Sequence, residues 1–255
     1  MVNTDNITPI ILAAGMGTRM GSNFSNSPKT FIELHGKKIL EIQLDGLIKQ
    51  GFKMVIIVIG YLEEKFKKEI GNEYDGLSIF YVINNKFNVT GSAYSFFLTF
   101  DIWEKNKKNI LMLHADIFYE ESILSDFLSK SLNNENYILL DENYSEETND
   151  EQVVLGKKKL VHSLKKGKPK SKLEVGESLG INFFTIRFME KYFSFLSYFL
   201  EENQEINWEQ TIKPFLSENK TIELFYEDIG NRLWKNINYL DDLEKAKEMY
   251  KSSSI

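Results

Sequence analysis

The sequence predicts one α/β domain built on a mostly parallel sheet flanked by helices. Three observations predict it. Short runs with the character of buried strands alternate with helical patterns through the first half of the chain. No internal repeat and no Pro/Gly/Ser-rich linker divides the chain. Its 255 residues, 42% apolar and 27% charged, have the make-up of an ordinary globular domain.

Residues 8–13 read as a buried strand that runs into a glycine-rich turn. Residues 38–49 place Ile39, Leu40, Leu44, Leu47 and Ile48 on one helical face, and Gly51 follows as a C-cap signal. Residues 54–59, 77–83 and 110–114 are three further strands, with helical stretches between them, an order that implies parallel pairing. In the second half, 152–155 and 159–162 flank Gly156 as a hairpin, and 180–185 is a strand. Helices are expected at about 188–202 and 207–217, strands near 221–226 and 232–237, and a closing helix from about 239 to 250.

A net charge of −6 argues against a nucleic-acid-binding surface, which is usually basic. Small anions can still bind, because local amides and a few cations decide that. The absence of cysteine excludes disulfides and thiolate metal sites. No basic segment precedes a long apolar stretch, and apolar runs such as 54–59 are too short to span a bilayer. The expectation is a cytoplasmic protein with neither nucleic acid nor membrane as partner.

The strongest local signal is Leu12-Ala13-Ala14-Gly15-Met16-Gly17-Thr18-Arg19-Met20, followed by Pro28-Lys29. Gly15 and Gly17 let backbone N–H groups approach an anion. Arg19 adds a forked phosphate donor and Lys29 a mobile point charge. A strand ending in such a turn lies where open α/β sheets bind ligands. The spacing fits neither a Walker loop, which needs Gly-Lys-Ser/Thr, nor a dinucleotide fingerprint, which needs a glycine at Met20. Asp116, just beyond the strand at 110–114, is a candidate oxygen ligand for a hard cation such as Mg²⁺.

These motifs resemble the signature of the sugar-phosphate nucleotidyltransferases. Val58-Ile59-Gly60-Tyr61, the segment from Asn85 to Ser95, His114-Ala115-Asp116, Gly176-Glu177-Ser178-Leu179-Gly180-Ile181 and Trp234-Lys235-Asn236-Ile237-Asn238 fall in the same order, so the resemblance covers nearly the whole chain. It implies a GT-A-like, Rossmann-like fold, with about 1–120 building a nucleotide-binding half and about 121–255 an acceptor-binding half. It implies Arg19 and Lys29 as catalytic cations and Mg²⁺ held by Asp116 and Asn238. It also implies a nucleotide bound by Leu12, Ala13, Ala14, Gly15, Gly17, Thr18, Gly60, Tyr61, Thr90, Gly91 and Ser92. Asn238 can equally cap the closing helix, with Asp241 completing a capping box.

The segment 85–95 is most similar to the cytidylyltransferases that act on phosphocholine and 2-aminoethylphosphonate. The resemblance thus implies CTP as donor, a small phosphorylated acceptor and release of pyrophosphate. Asp141, Glu177, Gly180 and Lys166 are candidates for the acceptor. Asp141 belongs to an acidic run with Glu142, Glu146, Glu147, Asp150 and Glu151 that suits an ammonium group. Lys166 belongs to a basic run with Lys165, Lys168, Lys170 and Lys172 that suits a phosphate. Trp208 and Trp234 are further candidates for a cationic head. A phosphate monoester is already largely dianionic at neutral pH, so no general base is demanded, and His114 reads as a strand-end residue. Two alternatives stay open: a hexose-1-phosphate enzyme using UTP, dTTP or GTP, and a non-catalytic nucleotide-binding regulator. The aromatic helix at 188–200 is expected to offer a surface for a homodimer.

Overall fold

A computed structural model describes residues 4–17, 19, 26–130, 135–144, 150–167 and 171–253. Strands β1 (Ile7–Ala13), β4 (Met54–Ile59), β6 (Leu77–Ile83) and β7 (Asn109–His114) pair in parallel in the order β7-β1-β4-β6. Short antiparallel hairpins flank this core: β2 (Glu33–Leu34) with β3 (Lys37–Lys38), and β5 (Glu73–Tyr74) along β6. Helices α1 (Ile39–Lys49), α2 (Glu63–Glu69), α3 (Ser92–Phe97) and α4 (Phe100–Asn106) supply the crossovers.

Past β7 come β8 (Ile117–Tyr119), α5 (Glu121–Lys130), β9 (Asn136–Asp141), β10 (Gln152–Lys157), β11 (Leu160–Lys166) and β12 (Glu174–Phe184). Helices α6 (Ile186–Glu202) and α7 (Trp208–Glu218), strands β13 (Leu224–Asp228) and β14 (Trp234–Asn236), and α8 (Leu240–Ser253) complete the chain. The large sheet runs β10-β11-β13-β9-β12-β7-β1-β4-β6-β5, with β12 antiparallel to both β7 and β9. The sheet is therefore mixed. Its second half is joined largely by hairpins and returns, which yield antiparallel pairs, rather than by helical crossovers.

Alternation along the strands loads both faces. Ile11, Ile57 and Leu113 pack with Leu40, Leu44 and Leu47 of α1, while Ile10, Ile56 and Met112 pack with Phe96 of α3 and the aromatic side of α6. A smaller cluster joins Phe118 and Ile237 to Leu243 of α8.

One expectation is corrected here. Gly156 lies inside β10, and the hairpin turns at Lys158 and Lys159, both with positive φ (54° and 66°). The alternation of apolar residues could locate the strands but not their turn, because lysine carries no turn signal. On the aromatic helix α6, Phe188, Tyr192, Phe193 and Phe195 pack inward against Phe96, Trp103 and Phe215, while Tyr198 is half exposed. Among the described residues no helix is long and apolar enough to cross a membrane.

Candidate functional site

The carboxyl ends of β1, β4 and β7 lie side by side, with Leu12 opposite Val58 and His114. The loops that follow are thereby brought together at one edge of the sheet. Tyr61 N–H donates to the Ala14 carbonyl (3.2 Å) and Ala115 N–H to the Leu12 carbonyl (3.2 Å), which ties the loops to one another. Gly17 takes φ +62°, a left-handed conformation suited to glycine, and a Cβ there would lie 2.9 Å from Lys29 Cβ.

The loop opens on a cavity of about 330 Å³. Leu12, Ala13, Ala14, Gly15 and Gly17 line it at one side and Thr90, Gly91 and Ser92 at another, with Arg19, Lys29, Asp116, Asn238 and Lys166 also on its wall. The segment preceding α3 is organised by Asn84, a fully buried residue missed in the sequence. Its Nδ2 donates to Thr90 Oγ1 (2.9 Å) and Ser95 Oγ (3.0 Å), and its Oδ1 accepts from Lys86 N–H (2.9 Å). Gly60 and Tyr61 stand behind the wall: a Cβ at Gly60 would meet Phe87 Cβ at 2.7 Å, and the Tyr61 ring lies edge-on to Phe87. Thr18 lies outside the described residues, as do Met20, Glu146, Glu147, Lys168 and Lys170.

Lys29 Nζ donates to Asp116 Oδ2 (2.7 Å) and to Asn238 Oδ1 (2.8 Å). Burial pushes the Asp116 carboxyl up, but the Lys29 ammonium, His114 and the hydrogen bonds it accepts together hold the group below its ordinary range. The approach of Asn238 depends on β14, whose Asn236 pairs with Ile117, and on Ile237 N–H, which donates to the Asp116 carbonyl (2.9 Å). The cap of α8 is not Asn238 with Asp241. Asp242 Oδ2 accepts from Asn238 N–H (2.9 Å) and Tyr239 N–H (2.8 Å), which leaves the Asn238 side chain free to face Lys29.

Two oxygens thus converge on one cationic centre at the cavity wall, with the ammonium standing where a hard cation could be shared. This donor set suits Mg²⁺, which takes one or two protein oxygens and completes its shell from phosphate and water.

Arg19 and Lys166 meet on one carboxylate. Arg19 Nη1 donates to Asp150 Oδ2 (2.7 Å), Lys166 Nζ lies 2.5 Å from Asp150 Oδ1, and the Tyr239 hydroxyl also donates to Asp150. Burial raises the Asp150 carboxyl, yet its three donors pull it far below the ordinary range. One residue of the acidic run and one of the basic run therefore neutralise each other beside the glycine loop. Sequence proximity within each run concealed this pairing across the fold.

A second cavity, about 390 Å³, adjoins the first and shares Asp150, Asn236 and Asn238 with it. Its wall includes Asp141, Glu151, Glu177, Asp242, Lys235, Arg232, Tyr144, Trp234 and Tyr239. Asp141 and Glu177 are direct cross-strand neighbours, an arrangement that is unfavourable for two like charges. Asp141 Oδ2 accepts from Trp234 Nε1 (2.9 Å). Burial, then Glu151, with Asp141 and Asp242 adding and Lys235 opposing, pushes the Glu177 carboxyl up to about 8.

Gly180 lines neither cavity. It takes φ +81° at the irregularity in β12, and a Cβ there would lie 2.7 Å from His114 Cγ, so its role in the structure is close packing. Trp208 is fully buried in the core. Thr30 Oγ1, Gln152 Oε1, Glu209 Oε2 and Asn236 Oδ1, all from residues on the first cavity's wall, are buried and have no hydrogen-bond partner among the described residues. Such groups are costly unless something else satisfies them.

Residues 9–174 match the model of the MobA-like NTP transferase domain family. A choline-phosphate cytidylyltransferase of Streptococcus pneumoniae is 26% identical over 253 residues, 96% of this chain and 99% of that one. A CTP:phosphoglutamine cytidylyltransferase of Campylobacter jejuni is 31% identical over 123 residues, 47% of each chain. The solved inositol-1-phosphate CTP transferase of T. maritima superposes with a TM-score of 0.79 at 20% identity, covering 100% of this chain and 98% of the other. At that identity the likeness speaks for the fold, which is the GT-A-like one expected.

Proposed function

The chain belongs to the MobA-like NTP transferase domain family, and from that premise we propose that it moves CMP from CTP onto the phosphate or phosphonate of a small acceptor with a cationic head, releasing pyrophosphate. The observation that carries this reading is the pair of adjoining cavities sharing Asp150, Asn236 and Asn238. One is walled by a glycine loop with two cations, as a triphosphate requires. The other is rich in carboxylates and aromatic rings, as an ammonium requires. The acceptor's phosphate would sit where they meet.

There an acceptor oxygen attacks the α-phosphorus, a new P–O bond forms, and the bond from the α-phosphorus to the bridging oxygen of pyrophosphate breaks in line. The attacking group is already anionic, so no residue needs to remove a proton. Lys29 and Arg19 turn from Asp116 and Asp150 toward phosphate oxygens and stabilise the charge that develops. Asp116 and Asn238 would hold Mg²⁺, which when bound neutralises phosphate charge. The amides of the glycine loop orient the triphosphate. Glu177 and Asp141, with Trp234, Tyr144 and Tyr239, receive the cationic head.

The test is pyrophosphate release with CTP, UTP, dTTP, GTP and ATP against phosphocholine, 2-aminoethylphosphonate and glucose 1-phosphate. Turnover confined to CTP and a cationic acceptor is expected. A clear preference for UTP or dTTP with glucose 1-phosphate removes the cytidylyl reading. Tight nucleotide binding without turnover on any acceptor leaves a regulatory homologue instead.

A further inference from the structure

Glu209 is the second residue of α7 and only 4% exposed, yet its side chain is on the wall of the nucleotide cavity. Its Oε2 has no hydrogen-bond partner among the described residues. Its Oε1 lies 3.8 Å from His114 Nε2, beyond hydrogen-bond range. That nitrogen has no proton to offer in any case, since it accepts from Trp208 Nε1, 2.7 Å away, and an indole N–H only donates. Burial pushes the Glu209 carboxyl up, against the opposing pull of His114 and of hydrogen bonds from its own backbone N–H and the Trp208 side chain.

The protein has thus left one oxygen of a carboxylate at the cavity, Oε2, without a donor. Position tells which donor is missing. On one side of Glu209 is the α3 turn, tied to α7 by Trp208 N–H donating to Ser92 Oγ (3.0 Å) and by Ser92 N–H donating to Asn207 Oδ1 (3.2 Å). On the other side are His114 and, beyond it, Asp116 and Lys29. A nucleotide with its base at Thr90–Ser92 and its phosphates at Lys29 has its ribose between the two. The ribose 2′-hydroxyl is an O–H donor, and the unpartnered Oε2 can accept it. The acceptor substrate is a poorer source, because Glu209 does not line the second cavity.

We propose that Glu209 reads the 2′-hydroxyl of the bound nucleotide and makes the protein select ribonucleotides over 2′-deoxyribonucleotides; this rests on the reading of the first cavity as the nucleotide site.

The experiment is titration calorimetry of CTP and dCTP with Mg²⁺ on the wild type, Glu209→Met and Glu209→Gln, with kcat/KM for both nucleotides alongside. The wild type is expected to favour CTP by about ten- to a hundredfold, the range for a charge-assisted hydrogen bond. Glu209→Met, which keeps length but has no oxygen, brings the ratio to within about threefold of one, and Glu209→Gln falls between.

An unchanged CTP/dCTP ratio in Glu209→Met overturns the proposal. So does a change confined to CTP against UTP, which would mean that Glu209 reads the base. Wild-type binding of neither nucleotide overturns it as well. Binding that discriminates as expected but without turnover leaves it standing and removes only the transferase reading.

Discussion

The two cavities treat charge in opposite ways. In the first, each cation faces a carboxylate: Lys29 pairs with Asp116, and Arg19 with Asp150. In the second, Asp141 and Glu177 face one another across two strands, with Glu151 and Asp242 adding to the negative field. The first can exchange internal partners for an anion without exposing a bare charge. The second holds one carboxyl, Glu177, whose ionisation is resisted by burial and by its acidic neighbours. Under the proposed function, a cationic head on the acceptor would contribute to binding as an ion, whereas the triphosphate would meet groups already held in place.

The largest effect is expected at the first cavity. Lys29→Ala and Asp116→Ala should each cut pyrophosphate release by about a thousandfold or more, with the double variant little worse than either. Near-normal turnover in either single variant would remove the assigned roles.

Next comes Glu177→Gln, which should raise KM for a cationic acceptor about tenfold while KM for CTP changes less than about twofold. In the wild type, acceptor KM should fall as pH rises from 6 toward 8, because a cation binds the ionised carboxylate. Stability should run the other way. A carboxyl raised from 4.5 to about 8 favours the folded state fully below pH 4.5 and loses that contribution as pH rises through 8. Tm should therefore drop by roughly 5 °C between pH 5 and pH 8 through this group. A Glu177→Gln profile with the same slope would show that some other group is responsible.

A smaller effect, shared by both cavities, is expected of Asp150→Asn, which loosens Arg19 and Lys166 together. KM should rise about three- to tenfold for CTP and for acceptor alike. A rise for one substrate alone would separate the cavities that this carboxylate joins.

The smallest effect contrasts two glycines. Gly17→Ala forces a left-handed residue against Lys29 and should cost about 1–2 kcal/mol in urea unfolding. Gly15→Ala has open space in the protein alone and should unfold within about 0.5 kcal/mol of wild type, yet bind CTP more weakly. Unimpaired CTP binding by Gly15→Ala would place the triphosphate away from this loop.

The sequence by itself determined the α/β class, the strands at 54–59 and 77–83, and the glycine-rich turn with its cations Arg19 and Lys29. Buried parallel strands are continuous apolar runs, and a phosphate cradle needs glycines and cations close together in the chain. The motif order also brought forward Asp116 and Asn238. What joins them, the pairing of Asn236 with Ile117, was decided in three dimensions, as was the cap that Asp242 rather than Asp241 provides.

The same holds for the charges. Asp150 and Lys166 looked like members of separate runs until the antiparallel pairing of Gln152 with Lys166 set them together. Glu209 carries no signal in one dimension, because a glutamate in the first turn of a helix is commonplace. Whether such a carboxylate meets water, a partner or a cavity depends on what the rest of the chain packs around it, and periodicity and local motifs do not encode that.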